Sequence, residues 1–111
     1  MLKQINNYSG VVGVVYLDEE VKKFAIVHSK RGFSLPGGGF DDEDASIEDG
    51  LYREIKEELG LDIKDVEIKK TDLTEEFKYD SNKDGREDQY VIRPIYLVKA
   101  KNNKLSSVIM K

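Results

Sequence analysis

Two hydrophobic periods alternate along this chain. Residues 9–17 (SGVVGVVYL) are dense in β-branched side chains and predict a largely buried strand. After the polar turn Asp18-Glu19-Glu20, residues 21–28 (VKKFAIVH) predict a second strand, paired with the first in a hairpin. Residues 31–35 read as a short extended segment leading into Pro36, which holds Leu35 away from helical dihedrals. The period then changes. Ile47, Leu51, Ile55 and Leu59 recur at helical spacing and predict an amphipathic helix over 46–59. Ser46 is a suitable N-cap, Glu48 and Asp49 suit the first turn, and Gly60 suits the position that ends the helix. Gly50, inside the helix, marks expected close packing against a neighbouring element.

Beyond the helix the period returns to two. Residues 63–70 and 73–79 predict two strands, and residues 89–100 (QYVIRPIYLVKA) a third, with Pro94 pointing to an edge position or a bulge. Asn102-Asn103 reads as a turn and residues 105–110 as a short last strand. These elements describe an α+β fold in a single domain over 1–111: one mixed sheet packed against the helix at 46–59.

Composition narrows the function classes. With 111 residues, 39% hydrophobic and 36% charged, the chain suits one small soluble domain, and no apolar run approaches membrane-spanning length. There is no cysteine, which excludes disulfides and thiolate chemistry, and one histidine, which leaves little room for histidine relays. The start, MLKQINNYSG, lacks the apolar core of a signal peptide, so the expected location is the cytoplasm. A net charge of −4 argues against stable nucleic-acid binding through a basic face. It is compatible with a polyphosphate ligand bridged to carboxylates by divalent cations.

The chemistry concentrates in residues 35–61, LPGGGFDDEDASIEDGLYREIKEELGL. Glu54, Glu57 and Glu58 share a helix face at spacings of three and four. Three carboxylates that close repel one another, an arrangement that divalent cations relieve directly. Arg53 precedes them, placed to tie the helix to the acidic loop. A solvated helix face would account for REIKEELG alone, but not for the glycine run directly before the acidic loop.

This stretch resembles the box of the Nudix (MutT-like) hydrolases, G-x5-E-x7-R-E-U-x-E-E-x-G-U with U bulky and apolar. Residues 53–61 (REIKEELGL) match its second half throughout, and the preceding Leu35-Pro36-Gly37-Gly38 is also usual in the family. The first half departs from the pattern. Strict spacing puts Gly39 at the box glycine and Ala45 where the pattern has Glu. Alternatively Gly38 is the box glycine, Asp44 stands for the Glu, and the loop carries one extra residue. The second reading is preferred, because it keeps the glycines, an acid and the Ser46 cap in order.

The resemblance implies an α/β/α sandwich whose C-terminal helix is either absent here or cut off after Lys111; a homodimer is one way to cover an apolar face left exposed. It implies a Mg²⁺- or Mn²⁺-dependent hydrolase that cleaves the pyrophosphate linkage of a nucleoside diphosphate derivative, a nucleotide or nucleotide-sugar, by water attack on phosphorus. The implied metal ligands are Glu57, Glu58, Glu54 (ligand or general base) and the Gly38 carbonyl. Gly37, Gly38 and Gly39 would line the substrate, and Arg53 would orient the glutamates. Glu75, Glu76, Glu87 and Asp88 are candidates for a base outside the box. The alternative is a catalytically weak nucleotide-binding or regulatory module of the same fold.

Other features carry weaker signals. Residues 80–85 (DSNKDG) open like a calcium loop, but Val91 holds the position of the bidentate Glu, which favours a plain hairpin turn. His28 reads as a surface residue or a substrate-adjacent contact. Phe77, Tyr79, Tyr90 and Tyr96 are candidates to stack on a base, though strand aromatics more often fill a core.

Overall fold

The computed structural model describes residues 3–16, 24–29, 32–78 and 90–101. The hairpin turn expected at 80–85, Tyr79, Glu87, Asp88 and the strand at 105–110 lie outside the described residues. Four strands form the main sheet in the order β4-β1-β6-β5: β1 Gly10–Tyr16, β4 Gly37–Gly39, β5 Val66–Lys78 and β6 Tyr90–Ala100. β1 runs parallel to β6 and antiparallel to β4, while β5 and β6 are antiparallel, so the sheet is mixed, as expected. β2 Val27–Ser29 and β3 Gly32–Ser34 form a separate two-stranded ribbon. Among the described residues no helix is long and apolar enough to cross a membrane.

The helix α1, Ile47–Leu59, forms where its local signals place it. The Asp49 N–H donates to Ser46 Oγ at 3.1 Å, and Gly60 closes the helix in a left-handed conformation at φ 73°. Ile47, Leu51, Ile55 and Leu59 are all buried, facing Val11, Val15, Tyr96 and Val98 of the sheet. Full burial of Leu51 or Ile55 contributes about 1.5–3 kcal/mol each. Tyr96 is core rather than a base-stacking surface, and its hydroxyl donates to Glu48 at 2.6 Å.

Gly50 shows why a helix tolerates a glycine here. A Cβ at that position would lie 2.7 Å from the Phe40 ring and 3.3 Å from Asp44 Oδ2. Alanine normally gains about 1 kcal/mol over glycine inside a helix. Gly50→Ala is expected to lose that gain and destabilise by about 1–2 kcal/mol through overpacking, read as a lower urea midpoint.

Several strand expectations are corrected. Of the strand expected at 21–28, residues 21–23 lie outside the described residues, and the described part pairs only briefly with β1. Phe24 makes a single bridge to Tyr16, and β2 turns away to pair with β3. The glycine run is itself a strand, β4, because glycines let its backbone lie close against β1: a Cβ on Gly37 would sit 2.2 Å from the Val11 carbonyl oxygen. Residues 63–65 form a 3-10 turn, and the two strands expected at 63–70 and 73–79 are one, β5. Pro94 lies in an interior strand, not at an edge. The β5–β6 register shifts opposite it, between Lys70 and Thr74. That irregularity accommodates a residue with no N–H to give the ladder, and Thr71 Oγ1 instead donates to the Ile95 carbonyl at 2.6 Å.

Candidate active site

α1 and β4 are the two elements that assemble the site, and Arg53 joins them. Its Nε donates to Asp44 Oδ1 at 3.0 Å and its Nη2 to Asp44 Oδ2 at 2.9 Å, a two-pronged pair with a nearly fully buried carboxylate. Nη2 also donates to the Gly39 carbonyl at 3.0 Å, and Asp41 lies 3.2 Å from Nε. Nη1 points the other way, to Glu54 Oε1 at 2.9 Å and Glu57 Oε1 at 3.1 Å. All three guanidinium nitrogens are therefore committed to the protein. The hydrogen bond from Arg53 is the main reason the Asp44 carboxyl is held below its ordinary range, and the Arg53 guanidinium is in turn held more firmly protonated by Asp44.

The acid that meets Arg53 is thus Asp44, nine positions before it. Ala45, one residue later, is exposed. Asp44 also accepts from the Asp41 N–H at 2.8 Å, so the same carboxylate closes the loop and anchors the arginine.

The three glutamates have different surroundings. Glu57 is exposed, Glu54 packs against β4, and Glu58 is half-buried. A Cβ on Gly38 would lie 3.0 Å from Glu54 Oε1, so only glycine leaves the carboxylate this close to the strand. Glu58 Oε1 accepts from the Gly37 N–H at 2.8 Å. Burial pushes the Glu58 carboxyl up to about 7, with the charges of Glu54 and Glu57 adding to the shift and the Gly37 N–H opposing it. Gly37, Gly38 and Gly39 thus line the face of the site opposite the carboxylates. Among the described residues no three His, Cys, Asp or Glu side chains stand close enough to hold a metal ion as they are. Arg53 Nη1 lies between Glu54 and Glu57 and donates to both.

The chemistry of this donor set nonetheless fits a hard divalent cation. It offers carboxylate oxygens from Glu54, Glu57 and Glu58 beside a glycine strand without side chains, the oxygen-only donor set that Mg²⁺ or Mn²⁺ takes.

Of the candidate outer bases, Glu75 lies 3.6 Å from Arg93, whose Nε is buried beside Gly10 of β1. Glu76 accepts instead from Thr74 and from the Tyr90 hydroxyl, which holds its carboxyl low. Phe77 lies under the Arg93 guanidinium at 4.9 Å, and Tyr90 is exposed. His28 stacks on Phe33.

Three contributors escaped the sequence reading. Lys3 Nζ donates to the Asp42 and Asp44 carbonyls at 2.7 and 2.8 Å, holding the acidic loop from the far end of the chain. No local pattern marks it. Asp41 belonged to a visible acidic run without a signal to single it out. Gly10 is needed because a Cβ there would meet the Gly38 carbonyl at 2.2 Å, a contact set by strand pairing rather than by sequence proximity.

Comparison with known proteins agrees with the fold. Among solved structures, a C. elegans Ap4A hydrolase is similar at TM-score 0.62 and 19% identity, over 86% of this chain and 70% of that one. A C. elegans Ap4A hydrolase binary complex gives 0.64 and 19%, over 92% and 74%. Shewanella oneidensis NrtR gives 0.63 and 18%, over 88% of this chain and 45% of that one. At such identities the likeness speaks for the fold. No curated protein sequence matches. The family model for the NUDIX domain matches residues 8–107, nearly the whole chain, and it contains both the glycine strand and the carboxylate helix: this protein belongs to the NUDIX family.

Proposed function

We propose that this chain hydrolyses the pyrophosphate linkage of a nucleoside diphosphate derivative, with Mg²⁺ or Mn²⁺ as its cation. The observation that carries the reading is the pairing of α1 with β4, in which Glu54 lies against Gly38 and Glu58 is held by the Gly37 N–H. Glu57, Glu58 and Glu54, with the Gly38 carbonyl, are the groups that would hold the cation. When bound, it supplies charge neutralisation for the diphosphate and activation of the attacking water.

The chain's own residues do the rest. Arg53 does not bind substrate in this reading, because its nitrogens are occupied. It sets the spacing of Glu54 and Glu57 and fixes the helix to the loop through Asp44. The glycine strand lets a diphosphate approach the backbone without a side chain intervening. Glu54, low in exposure and beside that strand, is placed to act as a ligand or to take a proton from water. The net negative charge keeps the substrate class to small nucleotides rather than nucleic acid.

A panel of nucleoside diphosphate derivatives, assayed with Mg²⁺, with Mn²⁺ and with chelator, tests this reading. Turnover of at least one member, abolished by chelation, is expected. Binding without turnover of any member would favour the nucleotide-binding module instead.

A further inference from the structure

Phe33 is the most exposed large hydrophobic side chain among the described residues, at 73%. An isolated exposed apolar residue needs no explanation, but this one is ordered into a stack. Its ring lies on His28 with centroids 4.5 Å apart and planes 19° from parallel, across the β2–β3 pair His28↔Phe33. The ribbon thus presents an aromatic double layer with its outer face open to solvent.

The position of the ribbon gives that face a context. Ala25 donates to the Val15 carbonyl at 2.8 Å just before the ribbon, and Gly13 donates to the Pro36 carbonyl at 2.8 Å just after it. The ribbon is therefore an excursion from the β1 edge, clamped on both sides, that leads straight into β4. Four residue steps separate Phe33 from Gly37, whose N–H holds Glu58. Even fully extended, that segment spans at most about 14 Å. A nucleoside diphosphate with its phosphates at the carboxylates reaches over such a distance.

We propose that Phe33, backed by His28, is the platform on which the nucleobase of the substrate stacks. The proposal rests on the diphosphate reading above and adds its base subsite. The platform is aromatic and carries no carboxylate, so it suits a π-face rather than a phosphate or a metal. Tyr8 is the less suitable alternative: it borders a hollow of 250 Å³ at the β5 irregularity, and Lys70 Nζ already lies over its ring at 5.8 Å. Stacking tolerates every base, so little discrimination among bases is expected from this contact alone.

The test is calorimetric titration of ADP and of inorganic pyrophosphate, each with Mg²⁺, into wild type, Phe33→Ala and Phe33→Trp. Wild type is expected to prefer ADP. Phe33→Ala should lower the ratio of the two affinities about tenfold, within the range for losing one stacked base, and Phe33→Trp should keep it. Phe33 is exposed, so the substitution leaves the core intact. An unchanged ratio in Phe33→Ala, with pyrophosphate still bound, overturns the platform alone. A wild type that binds neither ligand overturns the diphosphate reading and the platform with it.

Discussion

Glu58→Gln, and separately Glu57→Gln, is expected to lower turnover of the nucleotide substrate at least about 100-fold, the scale of losing a group that acts on the reacting centre. Both substitutions keep side-chain size while removing the charge that a divalent cation needs. Glu58→Gln also makes a second, opposite prediction. The folded-state value for Glu58, about 7, lies above its ordinary 4.5, so between those values the folded protein holds a proton that the unfolded chain has lost. Stability from this group is therefore present at low pH and declines as pH rises through that window. Gln cannot ionise and escapes the decline. In metal-free buffer the variant should melt near the wild type at pH 5 and a few degrees above it at pH 8. Activity down and stability up is the signature of a side chain kept for chemistry. A Glu58→Gln protein that turns over normally contradicts the assignment.

Asp44→Ala is expected to cost about 2–3 kcal/mol, which at this size lowers the melting temperature by about 10 °C. The change strips the buried partner from Arg53 and the acceptor from the Asp41 N–H. Because the Asp44 carboxyl is held below its ordinary 3.8, its contribution is complete above that value and disappears as pH falls through the lower folded-state value. The wild type and Asp44→Ala should therefore converge in strong acid, as followed by circular dichroism. Adding Ala45→Glu to Asp44→Ala should not restore stability, because position 45 is exposed while position 44 reaches the arginine from inside the loop. Full rescue by Ala45→Glu would show that the strict spacing, not the nine-residue one, is the working arrangement.

The helix and its carboxylates were legible because every signal for them is local. The Ser46 cap, the apolar stripe, Gly60 and the run REIKEEL all act within a few residues of one another. β4 was not legible as a strand, since three glycines carry no side-chain alternation and only the approach to β1 reveals the pairing. β5 is largely polar, with most side chains at least partly exposed, so its interior looked like a break between two strands. Pro94 was correctly tied to an irregularity and wrongly allowed an edge, because strand order depends on pairing between distant segments. The loop offset could be posed from the sequence as two alignments. The order of glycines, acid and cap favours Asp44, but the packing that sets Asp44 on Arg53 and beside Gly50 is contained in no spacing rule.

The most direct measurement is product analysis of nucleoside diphosphate derivatives incubated with the wild-type chain, with and without Mg²⁺ or Mn²⁺. Metal-dependent release of a nucleoside monophosphate from at least one of them, silenced by chelator, is expected. Absence of cleavage across the panel, or cleavage that persists in chelator, would contradict the proposed hydrolysis.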